Sequence, residues 1–207
     1  TLHDLALLVF NSPSQFTWTW IAATLAILVP VVGLLYGGIH LLFGVKAPKW
    51  VGLSLAPVWI AAILVLSWQG ILLANDFSER ETRREVVTLQ QPTGQVLYLD
   101  GLTDPHFGPV DARERHGGDL ELIKLDGQVV HLGWADMDVE QSPDSLFHLR
   151  IERQARGTGI KSAGRRAGAI HHDWEQRDST LYLAPWFSFP KDDRFRAQDV
   201  HYTVLVP

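Results

Sequence analysis

The chain has 207 residues, no cysteine and a formal net charge of −5. Without cysteine there are no disulfides, no thiolate metal ligands and no cysteine nucleophile. The acidic balance offers no basic footprint for nucleic acid, so no nucleic-acid partner is expected. Along the chain, apolar residues concentrate before Asn75 and charges crowd after it. Residues 1–15 form a short N-terminal segment. Within it, residues 2–10, ahead of Asn11-Ser12-Pro13, read as a short interfacial helix or as the tail of an upstream span.

Residues 18–43 contain no Asp, Glu, Lys or Arg, and residues 51–74 form a second such run. At 1.5 Å per residue each is long enough for a hydrocarbon core of about 30 Å. No water is available there, so both must be helices that satisfy their own backbone. The short link at 44–50 makes them an antiparallel hairpin, and residues 16–76 are assigned to a two-helix transmembrane region. Pro30 and Pro57 each remove one backbone donor and are expected to kink their helices. Gly33, Gly37 and Gly38 give the first helix a smooth patch suited to close helix packing. Trp18, Trp20, Trp50 and Trp68 fall near the expected interfaces. His40 is the intramembrane polar candidate, placed near a helix end from which it reaches the interface. Lys46 and Lys49 on one side, against Arg80, Arg83 and Arg84 on the other, leave the orientation undecided.

Residues 77–90 read as a juxtamembrane linker, with the charged stretch 78–85 as helix or linker. Residues 91–207 read as a β-rich domain. Residues 96–99 form a strand between turn residues, and 104–118 are loop-like. Two strands, 120–125 and 129–132, flank Asp126-Gly127, a two-residue hairpin signal. Phe147, Leu149 and Ile151 alternate with His148, Arg150 and Glu152, the period of a half-buried strand. Ile160, Ala163, Ala167 and Ile170 recur at helical spacing. Residues 180–183 and 200–206 are further strands. Many short strands with one short helix suggest a sandwich or a β-helix-like coil.

Catalytic motifs are missing: there is no P-loop, no dinucleotide fingerprint, no HExxH and no GxSxG. No catalytic residue, cofactor or metal site is assigned. His171-His172 would point to opposite faces of a strand and cannot chelate together. Asp192-Asp193 reads as a polar turn. The aromatic run holding Trp186, Phe187 and Phe189 is either core or an exposed contact for a partner or lipid surface. Arg153 and Arg156, with Arg150, Arg165 and Arg166, are either a solvated face or a patch for anionic lipid or an acidic partner.

The stretch Gly33-Leu34-Leu35-Tyr36-Gly37-Gly38-Ile39-His40-Leu41-Leu42-Phe43-Gly44 resembles the membrane hairpin of PspC-domain proteins of Bacteroidetes type. Ser142-Pro143-Asp144 through Arg153-Gln154-Ala155-Arg156-Gly157 is similar to the start of their toast-rack domain. So are Trp174-Glu175-Gln176-Arg177-Asp178-Ser179-Thr180-Leu181, Pro185-Trp186-Phe187-Ser188-Phe189-Pro190-Lys191 and Phe195-Arg196-Ala197-Gln198-Asp199-Val200. The resemblance implies a transmembrane region followed by a toast rack, a stacked β-strand fold of repeated turns. Against the family pattern the N-terminal PspC domain is expected to be missing and the toast rack to be cut off after Pro207. His40 stands where a lysine would be expected.

The function implied is that of a non-catalytic, membrane-anchored component of a phage-shock-like envelope stress response. Its β domain would sense or bind on the extracytoplasmic side of a bacterial inner membrane. Membrane lipid, protein partners of the stress system and a second copy of the chain are the partners this implies. A structural or adhesive surface-display module is the alternative.

Overall fold

The structure, a computed structural model, describes residues 8–10, 12–43, 49–102, 123–126, 128–133 and 135–207. Most of residues 2–10, the link 44–48, the loop-like stretch 104–118 and residues 120–122 of an expected strand lie outside the described residues. The chain forms two compact units, Thr1–Asn75 and Asp76–Pro207.

The first unit holds helices α1 (Pro13–Phe43) and α2 (Lys49–Asn75). Helix α1 starts before the charge-free run because Ser12 caps it: its Oγ accepts the Gln15 backbone N–H at 3.1 Å. Pro13 occupies the first helical position, where a missing N–H costs nothing. The hydroxyls of Thr17, Thr19 and Thr24 donate to the carbonyls of Pro13, Gln15 and Trp20, four residues back. Each polar side chain is thereby satisfied inside its own helix, as a lipid environment demands. Both helices run through their prolines without a break.

Their packing is that of an inside-out hairpin. Ala22 and Ala62 are buried, while Leu34, Leu42 and Trp68 point outward. In water such exposure would be ruinous; in lipid it is the stable arrangement. At ~1.5 Å per residue, 31 and 27 residues exceed what one hydrocarbon core needs.

The second unit begins with a correction. Of residues 78–85, expected as helix or linker, all but the first belong to strand β1 (Glu79–Thr88). Its alternating charges fit a strand with one face on a helix and the other in water. Then come β2 (Tyr98–Gly101), β3 (Ile123–Asp126), β4 (Val129–Gly133), β5 (Asp136–Gln141) and β6 (His148–Gly157). Helix α3 (Ile160–Gly168) follows, then β7 (Trp174–Arg177), β8 (Thr180–Leu183), β9 (Trp186–Pro190) and β10 (Asp199–Val206).

Among the described residues the strands form three sheets: β1-β6-β10-β5, β2-β8-β7 and β3-β4-β9. Antiparallel neighbours alternate with two parallel pairs, β5 with β10 and β2 with β8. Parallel pairing requires the chain to cross over between strands, which a simple meander never does. Asp126 stands opposite Val129, the register of a tight hairpin between β3 and β4.

The core lies under the four-stranded sheet. Leu149 and Ile151 of β6 stand beside Val204 and Tyr202 of β10, all on one face and all buried. Burying each aliphatic side chain contributes ~1.5–3 kcal/mol. Helix α3 closes that face with small residues: Ala163 and Ala167 are fully buried against β6 and β1. Close approach needs Gly157. A Cβ there would collide with Ser162 Oγ and lie 2.7 Å from the Ala163 backbone nitrogen.

Candidate functional site

The aromatic run of β9 is core. Trp186, Phe187 and Phe189 are all buried, because β9 is covered on both faces. One edge pairs with β4, and Ser188 bridges to His171 on the other. An exposed aromatic contact is therefore not what these side chains form.

Nor do the arginines make an open basic patch. Arg153 donates to Glu85 Oε2 at 3.0 Å, Arg150 to Glu140 at 3.0 Å, and Arg84 to Glu152 at 2.6 Å. Arg165 pairs with Asp193. Each of these four cations is matched by a carboxylate on a nearby strand or loop, while Arg156 and Arg166 donate to the backbone carbonyls of Phe77 and Arg156. Exposed pairs of this kind stabilise by ~0–1 kcal/mol each. Asp193, in the turn read as polar from the sequence, is buried and serves Arg165. Hydrogen bonds from His148 and from the Leu146 backbone hold the Asp144 carboxyl below the usual carboxylate range.

Two polar clusters are buried, and neither was legible in the sequence. The first surrounds Arg196, whose side chain has no exposure. Its terminal nitrogens donate to Asp76 Oδ2 at 2.8 Å and to the Phe195 carbonyl at 2.7 Å. Its guanidinium lies 5.2 Å from the ring centre of Phe77. The loop carrying it is fixed in turn. Arg156 N–H donates to the Arg196 carbonyl at 2.8 Å, and Gln198 Oε1 accepts the Arg196 N–H at 2.6 Å. Arg194 and Ala197 flank it with φ of 53° and 50°, the left-handed region that costs a side-chain-bearing residue ~1–2 kcal/mol. That strain is tolerated because the buried ion pair over-determines the loop. Arg156, a candidate contact by sequence, sits at the rim, donating to the Phe77 carbonyl at 3.5 Å. Burial first, and then the charge of Arg196, lower the pKa of Arg166.

The second cluster lies on the core face of the four-stranded sheet. Tyr202 is fully buried, and its ring meets that of His172 edge-on, with centroids 5.8 Å apart. Arg153 is a diagonal neighbour of Tyr202, standing opposite Val200. Burial, and secondly the charge of Arg153, lower the pKa of His172. Burial raises the Tyr202 hydroxyl well above the ordinary tyrosine value, with Asp173 adding to it.

In the membrane unit a polar contact between described residues joins the helices. Pro30 has no N–H, which leaves the carbonyl four residues before it without its helical donor. That carbonyl belongs to Ala26, and the Trp59 indole Nε1–H of α2 donates to it at 3.1 Å. The buried Ala22 and Ala62 mark the same contact. Among the described residues nothing lies within 4 Å of a Cβ placed on Gly33, Gly37 or Gly38, so the hairpin's observed contact runs through alanines and Trp59 instead. The side chain of His40 lies outside the described residues.

The comparisons with known proteins fall on these two units in turn. Residues 2–77 match the PspC transmembrane region, and residues 124–207 match the toast rack found in some PspC proteins. The chain is a membrane-anchored PspC-type protein. No curated protein and no solved structure matches it. The toast rack's match takes in β4 to β10 and therefore the Tyr202–His172 cluster and Arg196. Strand β1, which completes the four-stranded sheet and supplies Glu85, lies outside both matched regions. The PspC membrane region ends at residue 77 and so includes Asp76 and Phe77, the two residues that Arg196 holds.

Nothing in the local sequence marks Arg196 as buried, since its partner is 120 residues away. The Trp59 contact does have a signal: a proline in a span, and a tryptophan at matching depth on the other helix.

Proposed function

We propose that this PspC-type chain is a non-catalytic component of a phage-shock-like envelope stress response. The hairpin anchors it in the bacterial inner membrane, with lipid on its outward apolar faces. The toast rack, on the extracytoplasmic side, binds or senses protein partners of the stress system. The observation that carries this reading is the join between the two matched regions. Asp76, the residue next after α2, is clamped by Arg196 of the toast rack. Arg196 thus fixes the toast rack's own first residue, which directly follows the second membrane helix in sequence. The paired arginines support a non-catalytic role, because their charges meet carboxylates one by one and do not converge on a common point.

The test uses the natural lack of cysteine. Single cysteines replace Lys161 or Ala47 in the full-length protein, and intact cells receive a membrane-impermeant maleimide. Labelling at 161 and protection at 47 are expected. The opposite pattern would put the toast rack in the cytoplasm and end the extracytoplasmic reading. Deleting the gene should weaken survival of envelope stress; unchanged survival and regulation would sink the stress-response reading.

A further inference from the structure

Among the described residues, three buried polar atoms of the second cluster have no hydrogen-bonding partner: Tyr202 Oη, His172 Nδ1 and Arg153 Nε. They come from three separate chain segments that the fold brings together on one sheet face. The arginine is the least demanding, since its Nη2 already serves Glu85. Tyr202 is the most demanding. Its hydroxyl is its only polar atom, and the residue is 1% exposed. A hydroxyl buried without a partner forfeits its hydration with nothing in return, a cost that native proteins rarely carry.

The chemistry of the three atoms is complementary. A tyrosine hydroxyl donates and accepts, a neutral imidazole Nδ1 does either according to tautomer, and an arginine Nε–H donates only. A molecule that meets all three must both donate and accept through one atom. The local charges nearly cancel: Arg153 faces Glu85 of β1, with His171 and Asp173 beside His172. A neutral occupant is therefore favoured over an anion. Buried waters characteristically make about three such bonds. His172 is only half-buried, which gives a small molecule a way in from solvent.

We propose that Tyr202, His172 and Arg153 form a binding site for one water molecule, which links β10, β6 and the segment before β7. The water accepts a hydrogen bond from the Tyr202 hydroxyl or donates one to it, accepts from Arg153 Nε–H, and completes the hydrogen bonding of His172 Nδ1. The site is independent of the stress-response reading, since it concerns what holds the toast rack together.

Thermal unfolding of the full chain in detergent tests it through the sign of one substitution. If water bonds the hydroxyl, Tyr202→Phe lowers Tm by about 2–4 °C, the shift that one lost hydrogen bond causes in a chain of this size. In a His172→Leu background the same change has a much smaller effect, because the bridge is already broken. Arg153→Lys keeps the charge for Glu85 but removes Nε, and should reproduce part of the loss. A crystal structure of the full chain should show a density peak about 2.7 Å from Tyr202 Oη. A Tm that stays level or rises in Tyr202→Phe overturns the proposal, because removing an unbonded hydroxyl is harmless or stabilising. Additive effects of the Tyr202 and His172 changes, or no peak beside the hydroxyl, overturn it as well.

Discussion

The hairpin and the toast rack solve the same problem in opposite solvents. In the hairpin the outward surface is leucine, isoleucine and tryptophan, and the buried contact is made by small residues such as Ala22 and Ala62. In the toast rack the outer face of the main sheet is a ladder of paired charges, and the interior holds Arg196 and Tyr202 beside the aliphatic core. Each unit nevertheless contains a long-range polar contact made by a large side chain. Trp59 serves the carbonyl that Pro30 leaves without a donor; Arg196 serves Asp76. The difference between them is cost. An indole N–H and a carbonyl are neutral, whereas an arginine and a carboxylate must each lose hydration worth several kcal/mol.

The largest effect should therefore come from breaking the Arg196 pair on one side only. Arg196→Met removes the guanidinium that holds the buried Asp76 carboxylate, and should destabilise the toast rack by ~3–5 kcal/mol in denaturant unfolding. Replacing both partners, Arg196→Met with Asp76→Leu, should recover much of that loss. If the single and double variants are equally unstable, the pair is not what the loop depends on.

Gly157→Ala comes next. The added methyl meets the Ala163 backbone, which cannot swing aside as a side chain can. A loss of ~1–3 kcal/mol is expected, read as a lower midpoint in the same experiment. An unchanged midpoint would mean that α3 can lift off β6 at little cost.

The hairpin's contact should be weaker. Trp59→Phe removes the indole donor and should cost ~0.6–1.7 kcal/mol in a helix-association or unfolding assay in lipid. The decisive variant is Pro30→Ala, which restores the backbone N–H for the Ala26 carbonyl. In that background Trp59→Phe should lose most of its effect; equal losses in both backgrounds would show that the indole acts by packing alone.

The smallest effect is a pH dependence. His172 has a folded pKa below its unfolded value, through burial first and Arg153 second. Its neutral form thus contributes stability that is present above the unfolded pKa of about 6.5. As pH falls below that value the unfolded state binds the proton more readily, and the contribution is lost towards the lower folded pKa. The groups around it are Arg153, Glu85, His171, Asp173 and Tyr202. Midpoints measured from pH 7.5 to 5.5 should fall less steeply in His172→Leu than in the parent chain. Parallel profiles would remove His172 as a source of acid sensitivity.

Much of this protein was readable from pattern alone. Two charge-free runs can only be helices in lipid, because no other local structure satisfies the backbone there. Alternation at Leu149 and Ile151 and the helical spacing of Ala163 and Ala167 report burial with periods of two and 3.6, so strand and helix follow directly. Family resemblance rested on equally local runs of residues. What the sequence left open concerns partners distant in the chain. Residues 78–85 read as helix or linker because a strand of charges makes sense only once β6 supplies matching charges on one face and α3 covers the other. Trp186, Phe187 and Phe189 are the same residues whether β9 is covered on one side or two, and only the neighbouring segments decide. Arg196, Asp76, Tyr202 and His172 carry no periodic signal, since burial of a polar group depends on a partner that the fold must deliver. Periodicity is a property of neighbours in sequence and is settled locally; the pairing of buried charge is settled by long-range contacts that exist only in the folded chain.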